Sequence, residues 1–152
     1  MIAEAKAELF LCGYDVSRIL ANREEILIAA DKVRRIRVLA MDMDNKMVRE
    51  QFTATFGRPP GLKNLDHLNA FLSKQNIEIR TISFPMMIYA TTKDVQGAAG
   101  RMQVGFLGYA KSGYNSYCLN LTPGDGEWYD YYKVQMELLW EQGTPWKPRE
   151  EG

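Results

Sequence analysis

The sequence predicts a single α/β domain built on a mixed sheet. Short apolar runs rich in β-branched residues, helical stripes between them, and polar or glycine-containing breaks at the junctions carry that reading. The chain has 152 residues, 46% hydrophobic and 25% charged, which suits one domain able to bury a core without disulfides or metals. Residues 1–143 are expected to form that domain, with 144–152 a flexible tail apart from Trp146.

Glu8 to Tyr14 is a short apolar run that meets a polar turn at Asp15 to Ser17, as a buried strand would. Ile19, Leu20, Ile26, Leu27 and Ala30 then recur at helical spacing up to about Lys32, with Asp15 or Ser17 placed to cap the helix. Arg35 to Met41 reads as the next strand, so the three elements form a βαβ unit with parallel strands and a right-handed crossover. A weaker helix over Lys46 to Phe56 is broken by Gly57-Arg58-Pro59-Pro60-Gly61. Leu62, Leu65, Leu68, Phe71 and Leu72 predict a further helix, and Ile77, Ile79 and Ile82 alternate with polar residues as a strand does.

Met86 to Thr92 and Met102 to Ala110 predict an antiparallel hairpin with a long loop, followed by a strand at Tyr117 to Leu121. The last helix covers Trp128 to Gln142. Its stripe of Tyr129, Tyr132, Met136, Leu139 and Trp140 is doubled by a neighbouring row of Trp128, Tyr131 and Leu138, which predicts packing on a sheet and, through the second row, an interface. The element order is β-α-β-α-α-β-β-β-β-α.

Lys plus Arg equals Asp plus Glu at 19 each, so no long-range field favours nucleic acid, and the run Lys32, Arg34, Arg35, Arg37 is expected to be a solvated rim. Cys12 and Cys118 lie in apolar segments outside any metal-ligand spacing and read as buried free thiols. With His67 the only histidine, no cofactor or metal is expected. The chain has no apolar run long enough to span a bilayer and no signal-peptide core near Met1, so a cytoplasmic location is expected.

Three passages together resemble one half-unit of the phospholipase D-like superfamily. They are Glu8 to Tyr14 leading through Ser17 into a helix, Ile36 to Asp42 closing the βαβ unit, and the late strands with Val104 to Tyr109, Ser112 to Ser116, Trp128-Tyr129 and Leu138 to Glu141. The resemblance implies a mixed sheet flanked by helices and pairing of half-units about a two-fold axis. Catalytic members carry H-x-K-x4-D, which supplies a nucleophile, a phosphate-binding cation and an orienting acid. That motif is absent here. Its places fall near Ser83, Pro85 and Ala90, and His67 is followed two residues on by Asn69.

The candidate ligand-binding residues are Asp15, Ser17, Asp42, Ser83, Tyr89, Ser112 and Asn115. Asp15, Ser17 and Asp42, with Asp44 and Asn45, stand at predicted strand ends, where open α/β sheets bind ligands; capping of helix N–H groups explains the same residue types. Asp42 and Asp44 are too few carboxylates to claim a hard cation. Ser83 and Tyr89 lie near the missing motif, and Tyr89 suits either a cleft or the core. Ser112 to Ser116 resembles the small polar loop that follows the motif strand in active members of that superfamily, which implies contact with phosphate oxygens; an ordinary hairpin turn needs the same residue types. Helical spacing favours packing over base stacking for Trp128, Tyr129, Tyr131, Tyr132 and Trp140.

Together these observations lead to the expectation of a non-catalytic phospholipase D-like sensor or interaction module. Its expected form is a homodimer that binds a small phosphorylated or nucleotide-like ligand or a protein partner, with nucleic acid and membrane unlikely partners. The alternatives are a phosphodiesterase or other hydrolase with a rebuilt acidic site at Asp15, Asp42 or Asp44, and a structural dimerisation protein using the aromatic helix.

Overall fold

The computed structural model describes residues 1–13, 16–60, 65–86, 88–106 and 117–148. Its strands are β1 (Glu8–Gly13), β2 (Arg35–Met41), β3 (Ile77–Ile82), β4 (Ile88–Lys93), β5 (Arg101–Phe106), β6 (Cys118–Leu121) and β7 (Thr144–Pro145). The helices are α1 (Val16–Ala21), α2 (Arg23–Ala30), α3 (Lys46–Phe56) and α4 (Glu127–Gln142), with 3-10 turns at Ile2–Glu4, Leu65–Phe71 and Pro123–Asp125.

One seven-stranded sheet runs in the order β6-β5-β4-β1-β2-β3-β7. The predicted βαβ unit is present: β1, β2 and β3 are mutually parallel, with Cys12 opposite Leu39 and Met41 opposite Ile82. The predicted hairpin is present too, as β4 and β5 pair antiparallel with Tyr89 opposite Gly105. β4 also pairs antiparallel with β1, Cys12 facing Ala90, and this seam joins the parallel half of the sheet to the β4-β5-β6 meander.

Side chains alternate between the two faces of the sheet, so the central strands feed two cores. Leu9, Leu11, Val38 and Ala40 pack with Ile19, Ile26, Leu68 and Phe71. Phe10, Cys12, Leu39 and Met41 pack on the other side with Phe52, Tyr129, Met136 and Trp140.

Several expectations need correction. The helix expected from Ser17 to Lys32 is two helices. Asn22 donates from its side-chain amide to the Arg18 carbonyl at 3.0 Å and from its backbone N–H to Ile19 at 3.1 Å, which ends α1. The expected helix at Leu62 to Leu72 is, where described, a 3-10 helix whose buried Leu65, Leu68 and Phe71 recur every third residue, matching its tighter period.

The basic run is not wholly a solvated rim. Arg37 is only 4% exposed, with its guanidinium forked onto the Glu137 carboxylate at 2.8 and 2.7 Å. Cys118 is exposed rather than buried, because β6 is an edge strand with three of its four residues incompletely covered. In the tail, Thr144 and Pro145 pair with β3, and the Trp146 N–H donates to Ile79 at 3.0 Å.

Candidate functional site

Strand directions bring the chemistry-bearing residues to one end of the sheet. Because β1, β2 and β3 are parallel and β4, β5 and β6 alternate, the carboxyl ends of β1, β2, β3 and β5 meet the amino ends of β4 and β6. Ser17 is the second residue of α1, just beyond β1, Asp42 directly follows β2, Ser83 directly follows β3, and Tyr89 is the second residue of β4. All four therefore reach the same edge. Asp15, Ser112 and Asn115 lie outside the described residues.

Asp42 extends the parallel ladder: its N–H donates to the Ile82 carbonyl at 2.8 Å, and its own carbonyl accepts from Asn45 at 3.1 Å. Asn45 caps α3, its side-chain oxygen accepting from the Met47 N–H at 2.9 Å, so capping accounts for this member of the acidic turn. Ser17 and Asp42 are half-buried and Ser83 is exposed.

Tyr89 is 3% exposed. Its ring lies across Gly105, its cross-strand partner, where any Cβ would overlap the ring. The Arg18 guanidinium carbon lies over the same ring, 3.8 Å from its centroid. Sequence reasoning missed Arg18, because a single arginine one residue after a capping serine carries no periodic or motif signal. Its partnership depends on how α1 crosses the end of β4.

At the same edge, but on the α4 side of the sheet, Phe84, Ile88, Phe106, Tyr131 and Leu139 line an apolar groove of ≈ 400 Å³. The expected second row of α4 is open beside it: Trp128, Tyr131 and Leu138 are 62%, 58% and 49% exposed. Trp128 and Tyr131 nevertheless contact the buried Tyr132 ring, with centroids 6.5 and 5.1 Å away.

The carboxylates with displaced pKa lie elsewhere. Hydrogen bonding to Lys93 holds Glu4 below the ordinary range, and hydrogen bonding to Arg37 does the same for Glu137. Burial pushes the Asp94 carboxyl up, but the N–H groups of Glu8, Ala7 and Lys6 and the charge of Lys93 together bring it below its ordinary value. Glu4 and Asp94 sit at the opposite end of the sheet, by the start of β1 and the end of β4. Among the described residues, no group of three or more His, Cys, Asp or Glu side chains is placed to hold a metal ion.

No protein-family model matches the chain, and no curated protein matches it. Solved structures do. Nuc from Salmonella typhimurium, a phospholipase D family member, superposes with a TM-score of 0.60 at 14% identity, over 97% of this chain and 86% of that one. NucT from Helicobacter pylori gives 0.53 at 13% identity, over 95% and 86%. TrmBL2, an archaeal chromatin protein with a novel mode of DNA binding, gives 0.59 at 15% identity, over 94% of this chain but only 46% of that one.

The chain thus has a phospholipase D-like fold: a mixed seven-stranded sheet flanked by helices. It spans about half the length of TrmBL2. Likeness to a DNA-binding protein does not favour the expectation that nucleic acid is an unlikely partner. Among the described residues no helix is long and apolar enough to cross a membrane.

Proposed function

We propose that this chain is a non-catalytic phospholipase D-like module that binds a small phosphorylated or nucleotide-like ligand at the carboxyl edge of its sheet and works as a homodimer. The observation that carries the reading is the placement of the only histidine. His67 is exposed on the 3-10 helix Leu65–Phe71, off every strand, with Asn69 two residues on. A phosphohistidine mechanism needs an imidazole and a cation beside one phosphodiester. The edge offers instead the hydroxyls of Ser17 and Ser83 and the Arg18 guanidinium over Tyr89, groups that can donate to an anion, while the Asp42 carboxylate can accept from a ligand hydroxyl or amine.

The exposed row of Trp128, Tyr131 and Leu138 supports pairing through α4, since apolar rows of this kind are concentrated at interfaces. Native mass spectrometry of gently purified protein tests dimer and ligand together, and hydrolysis of bis(4-nitrophenyl) phosphate in metal-free buffer tests inactivity. A dimer with added small-molecule mass and no turnover is expected. Saturable turnover retained in clean protein overturns the non-catalytic reading. Salt-dependent binding of duplex DNA, measured by fluorescence anisotropy, would replace the small ligand with nucleic acid. Leu138→Glu is expected to shift the dimer to monomer without unfolding it, and an unchanged dimer would move the interface off α4.

A further inference from the structure

Stacked arginines recur in this protein, and what their N–H groups do differs from one to the next. Arg37 lies over Phe10 at 4.5 Å and forks onto Glu137; Arg80 lies over Trp140 at 4.4 Å and donates to the Trp140 carbonyl at 3.0 Å. Arg35, further from Trp140 at 5.9 Å, forks onto Glu78. Arg18 has the shortest of these stacking distances, 3.8 Å over Tyr89. Among the described residues the ion pairs engage Arg35, Arg37, Lys46, Lys74 and Lys93, and Arg18 takes part in none.

A guanidinium whose central carbon sits over a ring is attracted through the ring's electron-rich face and still carries five N–H groups around its rim for an acceptor. In Arg37 that fork meets a carboxylate. Arg18 follows Ser17 in α1 at the carboxyl edge of the sheet, and none of the ion pairs between described residues engages its guanidinium. The platform is itself fixed, since Tyr89 is buried and its ring is seated on Gly105. Side-chain entropy that a free arginine loses on binding is thereby lost in advance.

We propose that Arg18 is the oxyanion-recognition group of this edge, receiving a phosphoryl or carboxylate group of a small ligand in the way Glu137 is received by Arg37. The assignment rests on the reading of the carboxyl edge as a site for a small anionic ligand. Tyr89 positions the guanidinium, and Gly105 leaves room for the Tyr89 ring.

The test is a titration of the isotopically labelled protein with inorganic phosphate, and separately with acetate, at constant ionic strength set by chloride. The arginine Nε–Hε resonances are followed in the wild type, Arg18→Gln and Arg18→Lys. The Arg18 resonance is expected to shift saturably with one or both oxyanions, and the arm that binds more tightly identifies the chemistry of the ligand. Arg18→Gln is expected to weaken binding at least ~10-fold, a loss of about 1.4 kcal/mol. Arg18→Lys, which keeps the charge and the fold but not the fork, is expected to fall several-fold short of wild type. Equal affinity in wild type and both variants overturns the assignment and leaves the ligand reading standing, with the anion held elsewhere. No saturable response to either oxyanion beyond chloride overturns both.

Discussion

Arg37 on β2 and Glu137 on α4 form a two-pronged ion pair, with Nη1 and Nη2 lying 2.8 and 2.7 Å from the two carboxylate oxygens. The arginine is buried between the sheet and the helix, near the Phe10 and Trp140 rings, while the carboxylate is 40% exposed. Glu137→Gln leaves the buried cation with a neutral partner. It is expected to cost about 1.5–3 kcal/mol, towards the lower figure because solvent already screens the carboxylate. The hydrogen bond from Arg37 holds the Glu137 pKa below its ordinary value. That stabilisation is therefore complete above the unfolded glutamate pKa and lost as pH falls through the lower folded value. Urea melts of the two proteins should differ at neutral pH and converge in acid.

Asp94 ends β4 with a left-handed backbone, φ 50°, and its carboxylate accepts the N–H groups of Lys6, Ala7 and Glu8 at 2.7 to 3.2 Å. Asp94→Asn keeps the backbone preference but loses the charge, and is expected to cost about 1.5–3 kcal/mol. Asp94→Ala adds a left-handed penalty of roughly 1–2 kcal/mol. Because its folded pKa is lowered, the contribution of Asp94 is present above the ordinary aspartate pKa and disappears as pH falls through the folded value. Amide exchange at residues 6–8 should accelerate in Asp94→Asn at neutral pH. Unchanged exchange would show that the 3-10 turn at Ile2–Glu4 and Ile2 packing hold this segment alone.

A Cβ at Gly105 cannot coexist with the Tyr89 ring where it lies. Gly105→Ala is expected to destabilise by about 1–3 kcal/mol through overpacking, and to displace Arg18 as well. In a Tyr89→Ala background the added methyl finds space, so the two substitutions should couple in a double-mutant cycle. Strict additivity in chemical denaturation would mean that the ring yields freely to the new methyl.

The two thiols should behave differently. Burial pushes Cys12 up to about 12, and its sulfur lies 3.3 Å from that of Met86. Cys118 is exposed on β6. A maleimide at neutral pH should label Cys118 in the native protein and Cys12 only after denaturation, as mass spectrometry of timed aliquots would show. Prompt labelling of Cys12 would reveal opening of the sheet at β1.

The parallel βαβ unit was legible because β1 and β2 are buried on both faces and so read as continuous apolar runs, bounded by turns. The buried stripe of α4 was legible for the opposite reason: Tyr129, Tyr132, Met136 and Trp140 repeat at a period that only a helix presents on one side. Asn22 hid a helix break, since an asparagine at a helical position looks the same whether its amide faces water or the Arg18 carbonyl. The candidate edge was half legible. Ser17 and Asp42 could be placed by strand ends and Ser83 and Tyr89 by their nearness to the missing motif, whereas Arg18 and Gly105 gain meaning only from the register that sets Gly105 opposite Tyr89.

The seam between β1 and β4 constrains the order in which this protein assembles. The core on the α1 and α2 side draws its buried members from Ile2 to Ile79, and the meander pairs strands that are neighbours in sequence. The β1–β4 pairing instead brings Leu9 to Lys93, closing a loop through most of the parallel half before any hydrogen bond forms. Loop-closure entropy makes such a contact slow and late. Tyr89 and Arg18 stand on opposite sides of that junction, one delivered by the meander and the other by the parallel half. The contact between Arg18 and Tyr89 therefore exists only in chains whose two halves have joined, which makes it a reporter of the completed fold and of no partly folded state.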